Sequence, residues 1–234
     1  MIEPFDAKKD LTDAARDGRN SRPRDAATLI LTRGDKKLEV LMGRRADSHV
    51  FMASKWVFPG GRIDPSDFRA GYTGDLNTDT ARRLEKEMPA RRARALVMTA
   101  IRETFEETGL ILGHKAPVAS VVGPWREYRQ AGALPDLSCL TYIARAITPP
   151  GRSRRFDARF FTAPIEALRD PDNIVSSGEL DEIAWLPIED AIKLDLPSIT
   201  RFVLGEALER IEHPKRPLPF VRMLHGQHRI ERDD

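Results

Sequence analysis

Between Pro89 and Gly109 apolar positions recur every three or four residues, at Leu96, Val97, Ala100, Ile101, Phe105 and Thr108. That period commits the segment to an α-helix with one stripe seeking a core, and Gly109 suits the left-handed residue that closes a helix. The same helix carries RETFEETGL (102–110), in which Glu103, Glu106 and Glu107 are three and four residues apart and leave one face together. Like charges at that spacing cost a few tenths of a kcal/mol per pair on an isolated helix. A solvated polar face could carry them. So could a site for a divalent cation, because Mg²⁺ and Mn²⁺ prefer hard oxygen ligands.

The surrounding chain alternates strand and helix signals. AATLILTR (26–33) and LEVLMGRR (38–45), joined by the turn-forming GDKK, read as a hairpin. FMASKWVFPGGRIDPSD (51–67) reads as a strand that runs into an unusual bend at Pro59, Gly60 and Gly61. Residues 68–90 are polar and read as an insertion with a short helix around DTARRLEKE. After the long helix, LILG, APVASVVG, LSCLTYIARAI and ARFFTAP read as strands, and IEDAIKL and SITRFVLGEALERI as helices, with Ser198 as the N-cap of the second. The mixture indicates an α/β or α+β sandwich. Residues 1–24 are expected to be an N-terminal arm, 25–212 the domain, and 213–234 a tail without clear periodicity.

Composition sets the remaining bounds. A chain of 234 residues, 41% hydrophobic, can bury one sizeable core. The formal charge of +2 gives no general attraction to nucleic acid or an anionic membrane, so neither partner is expected. Cys139 is the only cysteine, which excludes an internal disulfide framework, and it reads as a small core residue. No apolar run reaches membrane-spanning length and the N-terminus lacks the apolar core of a secretory signal, so the expected location is cytoplasmic.

The glutamate cluster has company. REXXEEXG has five fixed positions, which at average residue usage arise by chance about once per million windows. It lies downstream of the independent match PGGRIDPSD. Together they resemble the signature of the Nudix hydrolases: Gly, five residues, Glu, seven residues, then Arg-Glu-apolar-X-Glu-Glu-X-Gly-apolar. Gly61 matches the first glycine, and Arg102, Glu103, Glu106, Glu107, Gly109 and Leu110 match the second half. Two departures stand out. The first acidic residue is Asp67 where the pattern has glutamate, and 34 residues rather than seven separate it from Arg102. An insertion there, with RRFDARFF (154–161) and GELDEIAWLP (178–187), is similar to the coenzyme A diphosphatase branch of the family.

The resemblance implies an α/β/α sandwich with a mixed central sheet, a diphosphatase activity on a nucleoside diphosphate derivative, and dependence on Mg²⁺ or Mn²⁺. It implies that Glu106 and Glu107 are metal ligands, Glu103 a ligand or the base for the attacking water, and the Gly60 carbonyl a further ligand. It also implies a structural ion pair between Arg102 and Asp67, one methylene shorter than the usual pair, so that the loop shifts or the pair weakens. Some relatives recruit a carboxylate from a later loop, and Glu179, Asp181 and Glu182 are the candidates here. Arg44 and Arg45 end a strand leading towards the site and suit phosphate recognition. The stretch Arg82, Arg83, Lys86, Arg91, Arg92 and Arg94 could meet a phosphorylated ligand, such as the 3′-phosphate of coenzyme A, or remain a solvated face. Coenzyme A or an acyl derivative is the first substrate expected. ADP-ribose, a dinucleotide or a nucleoside triphosphate is the alternative, and a non-catalytic nucleotide-sensing module is the alternative of another class. Many relatives are dimers, so the resemblance also implies a homodimer.

Overall fold

The computed structural model describes residues 21–34, 37–46, 54–152 and 154–233. Strand β1 (Arg24–Arg33) is central, with residues buried on both faces, as expected for an apolar run inside a sheet covered on two sides. It runs parallel to β8 (Phe156–Pro164) and antiparallel to β2 (Glu39–Arg45) at one end and β4 (Gly60–Arg62) at the other. β2 carries the short β3 (Trp56–Val57) and β9 (Leu180–Pro187), both antiparallel. On the far side β8 pairs antiparallel with β7 (Thr141–Ile147), β7 pairs parallel with β10 (Leu218–Leu224), and β11 (Gln227–Asp233) closes the edge. β5 (Gly113–Lys115) and β6 (Ala133–Pro135) form a separate small ladder.

Helices cover both faces of this mixed sheet. α1 (Thr78–Glu85) and α2 (Ala90–Thr108) share one core, in which Ala27, Leu29, Leu31 and Leu41 meet Leu84, Leu96, Val97, Ala100 and Ile101. On the other face Ile30, Val40, Met42 and Phe160 pack against Ile188 of α4 (Ile188–Ala191) and Val203, Leu204 and Ala207 of α5 (Ser198–Glu212). The result is an α/β/α sandwich whose strand alternation separates two apolar layers. Gly109 ends α2 in the left-handed conformation, φ +73°, and its N–H donates to the Phe105 carbonyl at 2.8 Å.

Several expectations are corrected. APVASVVG (116–123) forms no strand: Pro117 lacks a backbone donor, Val118 and Val122 are 70% and 89% exposed, and of its three valines only Val121 packs against the core. The helix at 198 begins after Pro197 rather than behind a Ser198 cap. Residues 213–234, read as a tail, instead supply the β10–β11 hairpin, and Leu218 and Val221 enter the two cores. The insertion is docked, since Asn77 Nδ2 and Thr80 Oγ1 both donate to the Leu140 carbonyl and Leu84 is fully buried. Most of the N-terminal arm, the tip of GDKK and residues 51–53 of the strand read at FMASK lie outside the described residues.

Candidate active site

The site is built on one buried carboxylate. A single 3₁₀ turn, Pro65–Phe68, capped by Asp64, delivers Asp67 to the flank of α2. Arg102 donates to it twice, Nε to Oδ1 at 2.9 Å and Nη2 to Oδ2 at 3.1 Å. Trp125 Nε1 adds a bond to Oδ1 at 2.9 Å, and Thr99 Oγ1 and the Asp64 N–H add bonds to Oδ2 at 2.8 and 2.9 Å. The shorter aspartate thus forms a fully engaged bidentate pair, because the 3₁₀ turn carries the backbone up to the helix. Arg102 Nη2 also donates to the Arg62 carbonyl at 2.9 Å, which ties the strand after the glycine bend to the same point. Trp125, Thr99 and Asp64 were not signalled by the motif, and Trp125 in particular comes from a distant loop.

Above this anchor the glutamates and the glycines meet. Arg102 Nη1 donates to Glu103 Oε1 at 2.9 Å and to Glu106 Oε2 at 2.8 Å. The Gly60 N–H donates to Glu107 Oε2 at 3.3 Å. A methyl group at Gly61 would stand 2.4 Å from the Glu103 carboxyl, and one at Gly60 would stand 2.5 Å from the Ala27 carbonyl oxygen. Both glycines are therefore required by close approach: one of the glutamate to the strand, the other of two strands to each other.

Burial dominates the electrostatics. It raises Glu103 above its ordinary value against the pull of Arg102, pushes Glu106 up to about 7, and raises Glu107 well above the ordinary range, with Glu103 adding repulsion. For Arg102, burial opposes the charge, but the Asp67 bond and the facing glutamates raise its affinity for the proton overall. Among the described residues no three acidic, histidine or cysteine side chains stand close enough to form a ready-made metal cluster, and Arg102 bridges two of the three glutamates instead. The donor set nevertheless fits a hard divalent cation. Three carboxylates share one helical turn, their ionisation is resisted chiefly by burial, and the bend beside them is free of side chains.

The remaining candidates divide by face. Arg45 and Glu179 act electrostatically on Glu107, Arg45 favouring its ionisation and Glu179 opposing it, so both belong to this neighbourhood. Arg44 and Glu182 are register partners on β2 and β9 and form an ion pair at 3.6 Å. Strand alternation turns Arg44 to the face that carries Met42 and Val40, away from Leu41 and α2. Asp181 is exposed on the same strand. The basic stretch is largely neutralised internally: Arg82 and Arg83 pair with Asp79, Arg94 with Asp75, and Arg92 with Asp25. Trp56 and Phe58 pack in the α5-side core, and Trp125 and Tyr128 in the α2-side core. Burial pushes the Cys139 thiol up to about 12, which suits a packing residue.

No family model matches the chain. It is 25% identical over 238 residues to an acyl-coenzyme A diphosphatase NUDT19 of Gallus gallus, covering 73% of this chain and 62% of that protein. It is 26% identical over 206 residues to the protein of the same name from Xenopus laevis, covering 64% and 53%. The chain thus matches little more than half the length of these curated relatives. Among solved structures it is similar to a Nudix hydrolase of Alicyclobacillus acidocaldarius, with 28% identity, a TM-score of 0.63, and coverage of 83% of this chain and 97% of that one. Among the described residues no helix is long and apolar enough to cross a membrane.

Proposed function

We propose, from the premise that the chain belongs to the Nudix hydrolase family, that it is a divalent-metal-dependent hydrolase of diphosphate linkages in nucleoside diphosphate derivatives, with coenzyme A or an acyl-coenzyme A as first substrate. One observation carries the reading. The Asp67–Arg102 anchor sets three glutamates, Glu107 buried and Glu103 and Glu106 half-buried, against a glycine bend that leaves no room for a side chain. Two relatives named as acyl-coenzyme A diphosphatases support the choice of substrate.

Glu106 and Glu107, with Glu103 and the Gly60 carbonyl, are the groups that would hold Mg²⁺ or Mn²⁺. Such a cation, when bound, neutralises phosphate oxygens and acidifies a water molecule. The chain itself supplies placement. Arg102 holds Glu103 and Glu106 in one orientation, the Gly60 N–H holds Glu107, and a bound cation would offset the burial that otherwise resists ionisation of the three carboxyls. Glu103 or Glu179 would take a proton from the attacking water, and comparison of Glu103→Gln with Glu179→Gln distinguishes them.

The test is a parallel assay with Mg²⁺ or Mn²⁺ of coenzyme A, acyl-coenzyme A, ADP-ribose, NADH and dinucleoside polyphosphates, with products identified by mass. Coenzyme A or its acyl form is expected to be cleaved to a 3′,5′-nucleoside bisphosphate and a phosphopantetheine product. Glu106→Gln is expected to lose about 100-fold or more. Turnover of ADP-ribose alone would refute the substrate, and full activity in Glu106→Gln would remove the glutamates from the mechanism.

A further inference from the structure

A cleft of about 630 Å³ opens beside the glutamate turn, walled by Pro23, Arg24, Asp25, Arg62, Ile63, Asp64, Arg92, Arg102 and Glu103. Most of its charges are already spoken for. Arg92 and Arg159 meet Asp25, Arg102 meets Asp67, and Asp64 accepts the Ser66 N–H at 2.8 Å as the cap of its turn. Two cations are left over. Arg24 and Arg62 are exposed, and among the described residues neither guanidinium has a hydrogen bond or ion pair.

Their placement is regular. Arg62 stands opposite Ala26 in the antiparallel β1–β4 register, and Arg24 lies two residues before Ala26, so the two arginines leave the same face as diagonal neighbours. Neighbours of that kind can both reach one small anion. Their backbones are held: the Arg62 carbonyl accepts from Arg102, the Arg24 N–H donates to the Arg155 carbonyl at 3.0 Å, and the Ile63 N–H donates to the Asp25 carbonyl at 3.2 Å. Gly61 faces Glu103, so alternation sends Arg62 the other way, to the border of the cleft rather than onto the glutamates. An anion held there would be attached to the substrate yet distinct from the diphosphate being cleaved.

We propose that Arg24 and Arg62 form a specificity subsite for a further phosphate of the substrate, beyond the two that flank the scissile bond. The inference rests on the hydrolase reading and adds to it the class of substrate preferred: one carrying an extra phosphate, either as a monoester on the ribose or as a longer phosphate chain. Guanidinium pairs suit a phosphate dianion by charge and by their planar donor geometry.

The experiment compares kcat/KM within matched pairs, coenzyme A against 3′-dephospho-coenzyme A and a nucleoside triphosphate against its diphosphate, for wild type and for Arg24→Gln/Arg62→Gln. Wild type is expected to favour the member with the extra phosphate by about tenfold or more in one pair, through KM. The pair that responds identifies which source of phosphate is read. In the double glutamine variant the preference falls below about threefold, and Arg24→Lys/Arg62→Lys restores part of it. Thermal shifts induced by the same compounds with Ca²⁺ are measured alongside. If nothing is hydrolysed yet the extra phosphate still stabilises wild type and not the double variant, the hydrolase reading fails and the subsite stands. A preference that survives in the double variant, or wild-type indifference to the extra phosphate in both assays, would show only solvated surface arginines and overturn the proposal.

Discussion

At the scale of single residues, Asp67 has the largest structural consequence in the site. Its two oxygens receive five donors, and the Arg102 side chain it neutralises is about 5% exposed. Breaking a buried pair by removing one charge costs about 3–5 kcal/mol. Asp67→Asn should fall near the lower end, because Glu103 and Glu106 still face Nη1. A loss of about 10 °C in Tm follows for a chain of this size, measured by calorimetry. Glu107 behaves in the opposite sense. Burial raises its carboxyl well above the ordinary 4.5, so folding is unpenalised below that pH and weakens as pH rises through the folded value. In chelator-treated protein Glu107→Gln is therefore expected to raise Tm by about 3 °C or more at pH 8 and to leave it near the wild-type value at pH 4.5, while with Mg²⁺ or Mn²⁺ supplied the variant is expected to lose hydrolysis. A lower Tm at pH 8 would mean that Arg45 and the Gly60 N–H outweigh the burial of the Glu107 carboxylate.

At the scale of elements, the insertion that separates the two halves of the motif is part of the core. Asn77 and Thr80 fasten α1 to the start of β7, and Leu84 and Met88 reach the cluster beneath α2. Leu84→Ala is expected to cost about 2–5 kcal/mol by urea unfolding, whereas Glu85→Ala, exposed on the same helix, should stay within about 0.5 kcal/mol. Equal and small effects would mark the insertion as a loose appendage. Helix α2 was legible because an apolar stripe, a closing glycine and the acidic face all obey one period. The 116–123 segment misled because valines favour strands, yet strand propensity requires a buried face, and where the chain skirts α3 (Arg126–Gln130) Val121 packs inward while Val118 and Val122 are left in solvent.

At the scale of the whole molecule, the sheet is completed by its C-terminal residues. β10 extends the sheet past β7, with Leu218 in one core and Val221 in the other. Each buried side chain contributes about 1.5–3 kcal/mol, so a chain truncated after residue 212 should lose about 10 °C or more in Tm and expose β7 as an aggregation-prone edge. Unchanged melting and monodispersity by light scattering would restore the reading of these residues as a tail. The sequence alone determined the long helix, the face its glutamates share and their motif company with the glycine pair, because helical period and close backbone approach are local consequences of residue type. Only the tertiary structure decided the rest. Trp125 reaching Asp67, the hairpin closing the sheet, Arg44 parting from Arg45 across the two faces, and Arg24 meeting Arg62 over a cleft all depend on which strands lie side by side. That pairing is set by burial summed over distant segments, which no single stretch of chain records.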